Sequence, residues 1–169
     1  MTTDDRGVLL IVDVQNDFCP GGALAVPQGD EIIPIVNRLA ASYAHVILTQ
    51  DWHPPGHASF ASSHPGKSPF ETIEVAYGQQ VLWPDHCVQG TPGAVFHFAL
   101  DIPHAELVLR KGFRSPIDSY SAFRENDRRN RDRARWLPQG ARVRTRYSMR
   151  ARDRFLRGVF CNRRASGRV

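Results

Sequence analysis

Five polar residues in this chain have types and spacings that could carry chemistry: Asp13, Asp51, His53, His86 and Lys111. Asp13 sits at the carboxyl end of an apolar run over residues 8–14, and Lys111 follows a further strand-like segment over 106–110. If both runs are strands of one parallel sheet, their carboxyl ends meet where such sheets place ligands. Asp13 and Lys111 would then form an acid–base pair, since a carboxyl in apolar surroundings rises in pKa unless a cation stands near. Asp51 and His53 alternate along the chain, so an extended backbone offers both to one ion. His86 would complete a facial Asp/His/His set with open positions for water or substrate, a donor set suited to Zn²⁺, Fe²⁺ or Mn²⁺. His57 and His64 compete for that third place, while His45, His97 and His104 read as surface or packing residues. Phe18, Trp83 and Tyr120 could enclose a flat ring, although aromatic residues at such spacings also build cores.

The elements that must position these groups can be read from the apolar pattern. Residues 8–14 are nearly unbroken and rich in β-branched side chains, the mark of a strand buried on both faces. Residues 30–43 carry Ile32, Ile33, Ile35, Val36 and Leu39 at helical spacing, which predicts an amphipathic helix. Residues 45–49 predict a second buried strand, giving strand–helix–strand, and 106–110 a third. Residues 50–92 hold many Pro, Gly, His and Ser residues with little periodicity and read as a long functional loop. Residues 118–123 read as loop. The expected class is α/β around a parallel sheet.

Charge divides the 169-residue chain. Its net charge of +5 combines 6 basic and 13 acidic residues over 1–123 with 16 basic and 4 acidic residues over 124–169. All 16 late basic residues are Arg. A uniformly basic nucleic-acid-binding domain is therefore excluded, because the basicity belongs to the last quarter alone. No apolar run reaches the ~18 residues of a membrane helix. Residues 1–7 are polar and lack a leader pattern. Three cysteines, Cys19, Cys87 and Cys161, make an odd count without disulfide-like spacing. These features predict a cytoplasmic protein.

Taken together, several segments resemble the bacterial nicotinamidases of the isochorismatase-like hydrolase family. They are Val12-Asp13-Val14-Gln15-Asn16-Asp17-Phe18, Gly21-Gly22-Ala23-Leu24, Thr49-Gln50-Asp51-Trp52-His53-Pro54, Trp83-Pro84-Asp85-His86-Cys87-Val88, Lys111-Gly112 and Asp118-Ser119-Tyr120-Ser121-Ala122-Phe123. The motifs run in order over about the first 125 residues. The resemblance implies a three-layer, Rossmann-like fold and metal-dependent hydrolysis of nicotinamide to nicotinate and ammonia, with pyrazinamide as a surrogate. It implies a catalytic Asp13 and Lys111 working with a Cys nucleophile, one divalent ion on Asp51, His53 and His86, and a ring held by Phe18, Trp83 and Tyr120. Another hydrolase of the same superfamily is the nearest alternative.

The resemblance ends with the family's nucleophile motif, similar to G-L-A-T-D-[FY]-C-V and due about 45 residues after Lys111. Cys161 lies at a similar distance, but Val159-Phe160-Cys161-Asn162-Arg163-Arg164 does not match it. Residues 128–169 lack both helical and strand periodicity, with Arg at every second or third position. A shift of one base, beginning inside the codon of Asn130, permits a reading that contains G-L-A-T-D-F-C-V, with its Cys across the codons of Leu156 and Arg157. Residues 1–127 are thus read as the nicotinamidase-like part of one domain and 128–169 as out-of-frame sequence, which leaves the sheet incomplete after residue 123. The alternative reading of the tail is a basic segment that tracks nucleic-acid phosphates.

Overall fold

The structure is a computed structural model and describes residues 4–128. Strands β1 (Asp4–Val12), β2 (Tyr43–Asp51) and β5 (Leu107–Lys111) form a parallel sheet in the order β1-β2-β5. Helix α1 (Ile33–Ala40) joins β1 to β2, preceded by a 3-10 turn at Gly29–Ile32. It starts with Pro at its first turn, where a missing N–H costs nothing. Ile33, Val36 and Ala40 recur on one face and are buried with Leu9, Ile11, Val46 and Leu48. Each such aliphatic side chain contributes about 1.5–3 kcal/mol on burial. The opposite face of the sheet buries Leu10, Val12, Ile47 and Leu109 with Ala122. Apolar side chains on both faces explain the unbroken sequence runs.

The boundaries differ from the sequence pattern for identifiable reasons. β1 begins at Asp4, because backbone pairing of Asp4 with Tyr43 needs no apolar side chain. It stops at Val12, since Asp13 takes φ +53°, outside strand geometry. The helix is shorter than 30–43. Ser42 N–H turns back to Leu39 O, and Tyr43 already belongs to β2. Residues 50–92 are not one loop: β3 (Thr72–Val75) and β4 (Gly78–Val81) form an antiparallel hairpin. The expected tail over 128–169, with Cys161, lies outside the described residues from 129 onward.

Strand register brings the polar residues together. β1 and β2 pair Val12 with Thr49, and β2 and β5 pair Asp51 with Lys111. The carboxyl ends of three parallel strands therefore converge on Asp13, Asp51 and Lys111.

Candidate metal and acid–base site

Lys111 lies at the end of β5, buried at 3% exposure, with its Nζ 2.9 Å from Asp13 Oδ2 and in contact with Asp51 Oδ1. Burial opposes its charge, but the two carboxylates outweigh that and hold its ammonium pKa above the usual lysine value. Asp13 is fixed from the other side by the Thr49 hydroxyl, which donates to Oδ1 at 2.7 Å. Its positive φ turns the carboxylate off the strand line toward Lys111. The sequence-predicted pair is thus brought together, and the cation also reaches Asp51.

One oxygen of Asp51 and one nitrogen each of His53 and His86 lie within 4.8 Å of one another, all three residues being buried. His53 Nε2 is 3.7 Å from Asp51 Oδ1, and His86 Nε2 is 4.0 Å from Asp51 Oδ2. The other ring nitrogens are committed. His53 Nδ1–H donates to Gly112 O at 2.9 Å, and His86 Nδ1–H to Pro84 O at 2.8 Å. Backbone carbonyls thereby fix the tautomer that points both Nε2 lone pairs toward Asp51, the arrangement found around ligating histidines. Two imidazoles and a carboxylate fit Zn²⁺, Fe²⁺ or Mn²⁺.

His57 and His64 stand outside this group. His57 Nε2–H donates to Arg114 O at 2.9 Å, and its Nδ1 accepts from the Ser59 hydroxyl at 2.8 Å. Burial first, then the neighbouring His53, lowers the His57 pKa and keeps it neutral. His64 Nε2 donates to Ala58 O. His57 and Phe60 wall the site instead, with ring centroids 4.5 and 5.4 Å from that of His53.

The three aromatic candidates are placed differently. Phe18 is buried 5.6 Å from the His86 ring, while Trp83 and Tyr120 meet edge to face at 6.3 Å. The Tyr120 hydroxyl accepts from Gln80 Nε2 at 3.1 Å, and that amide also donates to Asp118 Oδ2. Gln80 comes from the unexpected hairpin. The alternation Thr72-Ile73-Glu74-Val75 before Tyr77-Gly78 is the signal that could have located it.

Neither described cysteine is suited to act as a nucleophile. Burial, then the charges of Asp51, Asp13 and Asp17, raises the Cys87 thiol far above its ordinary pKa. Cys19 is raised by burial and by Asp30. Reactive cysteines need the reverse, a stabilised thiolate.

Residues 7–129 match the isochorismatase domain family. A nicotinamidase of Acinetobacter baylyi is 60% identical over 120 residues, covering 71% of this chain and 56% of that protein. A solved nicotinamidase/pyrazinamidase of Acinetobacter baumannii superposes with a TM-score of 0.75 at 58% identity, over 76% of this chain and 62% of that one. A pyrazinamidase of Pyrococcus horikoshii, solved in complex with zinc, superposes with a TM-score of 0.55 at 38% identity, over 70% of this chain and 58% of that one. The match thus spans little more than half the length of the A. baylyi relative.

Proposed function

The chain is a member of the isochorismatase family, and from that premise we propose that it carries the metal-holding and acid–base part of a nicotinamidase. The reaction is hydrolysis of nicotinamide to nicotinate and ammonia, with pyrazinamide as a second substrate. The observation that carries this reading is Lys111, set between Asp13 and the Asp51/His53/His86 group. The nicotinamidase relatives support the substrate class, and the zinc-bound relative supports a divalent ion.

In this reading Asp51, His53 and His86 hold one divalent ion, which supplies a Lewis acid that orients the pyridine nitrogen. Trp83 and Tyr120, which meet edge to face with each other, and Phe18, 5.6 Å from the His86 ring, would hold the substrate ring. Asp13 accepts the proton of a cysteine thiol, whose sulfur attacks the amide carbon. The same carboxyl returns the proton to the leaving nitrogen, so ammonia departs and leaves a thioester. Asp13 then takes a proton from the water whose oxygen attacks the thioester and returns it to the departing sulfur. The thiol is thereby restored and nicotinic acid leaves, ionising to nicotinate in solvent. Lys111, 2.9 Å from Asp13 Oδ2, orients that carboxyl for these transfers.

Burial and nearby carboxylates raise the Cys19 and Cys87 thiols, which argues against either as the thiol this reaction requires. We read residues 128–169 as the out-of-frame counterpart of the segment that would bring it, so the chain as written is inactive or nearly so. Loss of a nucleophile from an interdependent set costs several orders of magnitude.

Ammonia release from nicotinamide, measured on the zinc-loaded chain and on a chain re-encoded in the shifted frame from Asn130, tests the reading. Turnover should be confined to the re-encoded chain and lost on Asp13→Ala. Turnover by the chain as written, abolished by Cys161→Ala, would place the nucleophile at Cys161 instead.

A further inference from the structure

The segment Val12-Asp13-Val14-Gln15-Asn16-Asp17-Phe18 supplies Asp13 to the acid–base pair and Phe18 to the wall, but its other two alternate polar residues have no part in that chemistry. Gln15 is fully buried and its amide makes three hydrogen bonds. Oε1 accepts from Asp51 N–H at 2.8 Å, while Nε2 donates to Asp51 O at 2.8 Å and to Ala94 O at 2.9 Å. β1 has ended at Val12, so the peptide groups of Asp51 that face its side of the sheet have no strand beside them. The Gln15 side chain fills that place in the ladder. Its amide presents a donor and an acceptor as a peptide would.

Asp17 grips the other side of the centre. Its Oδ2 accepts from Cys87 N–H at 2.6 Å, and Oδ1 accepts from Ala23 N–H at 3.1 Å. A Cβ on Gly93 would overlap this carboxylate, so Gly93 makes room for it. Cys87 follows His86 directly and takes φ +48°, a conformation that needs an external hold in a residue other than glycine. The Cys87 carbonyl accepts from His53 N–H at 3.0 Å. One hydrogen-bonded residue therefore links the backbones that carry both histidines.

We infer that Gln15 and Asp17 are positioning residues for the metal centre, Gln15 holding Asp51 and Asp17 holding the His86–Cys87 turn. The inference rests on the proposed metal-binding role of Asp51, His53 and His86. Neither residue reaches a ligand atom. Both act on backbone, beyond the carbonyls of Gly112 and Pro84 that orient the rings.

Competition for Zn²⁺ between a chelator and the full chain tests it, with thermal unfolding in excess chelator measured alongside. Gln15→Met keeps the length of the side chain but removes its three bonds. Asp17→Asn keeps the shape but sets an amide NH₂ against one of two backbone donors. Each should weaken zinc affinity by about 10- to 100-fold, the usual effect of outer-shell partners. Val36→Ala, in the α1 core away from the site, should lower the unfolding temperature and leave zinc affinity unchanged. Wild-type affinity in the two variants would overturn the inference, as would an equal loss in Val36→Ala. If Gln15→Met does not fold, Asp17→Asn decides the matter. A wild-type chain that takes up no zinc would instead remove the metal reading beneath both.

Discussion

Gly112 lies against the imidazole of His53. Its carbonyl accepts Nδ1–H at 2.9 Å, its φ is +65°, and a Cβ would overlap the ring. The glycine is required twice, by its own backbone and by the space that His53 occupies. Gly112→Ala should therefore destabilise the fold by roughly 1–3 kcal/mol, the usual cost of one strained backbone position. It should also weaken zinc binding. Urea unfolding in excess chelator reads the first effect and a zinc titration the second. Wild-type values for both would show that the ring is not confined by this residue.

Lys111 is the single cation between Asp13 and Asp51 among the described residues. Lys111→Met fills similar volume and removes the charge, leaving the buried Asp51 and the mostly buried Asp13 to face each other. Breaking a buried pair from one side typically costs about 3–5 kcal/mol. A drop of that size in urea unfolding free energy is expected in metal-free protein. A loss no greater than that of an exposed pair such as Lys67–Glu71 would mean that solvent screens the site.

Stability should decline on the alkaline side through the buried thiols. Burial and Asp30 raise the Cys19 pKa, and burial with three carboxylates raises that of Cys87. Above the ordinary thiol pKa of about 8.5, the unfolded chain gives up protons that the folded chain keeps. The stabilisation is therefore complete below that pH and is lost as pH rises toward the folded values. The urea midpoint should fall between pH 8 and pH 10 (roughly, from that thiol value), and fall less in Cys19→Ala. Identical slopes in the two proteins would contradict this assignment.

The sequence disclosed the site better than the framework around it. The meeting of Asp13 and Lys111 was legible because both follow strand-like segments, whose carboxyl ends come together in a parallel sheet. Asp51, His53 and His86 were legible as donor types, yet the pattern left His57 and His64 in competition. The folded geometry separates them: Asp51, His53 and His86 bring donor atoms within 4.8 Å of one another. His57 instead spends both ring nitrogens on Arg114 O and Ser59, and His64 turns Nε2 to Ala58 O. The β3–β4 hairpin escaped because none of its apolar side chains is fully buried and each strand spans only four residues. Gln15 and Asp17 stood in the most recognisable motif of the chain without showing their purpose. Both bind backbone distant in sequence, and such partners leave no local pattern.

The nicotinamidase reading stands on Asp51, His53 and His86 holding a divalent ion where it meets the ring nitrogen of a pyridine carboxamide. The decisive measurement is the visible absorption spectrum of the cobalt(II)-loaded chain, recorded during titration with nicotinamide and with benzamide, because benzamide lacks only the ring nitrogen. The predicted result is a cobalt spectrum of low symmetry that changes on adding nicotinamide, stays unchanged with benzamide, and does not form in His86→Ala. Failure to take up cobalt, or the same response to both amides, would contradict that placement of the ion.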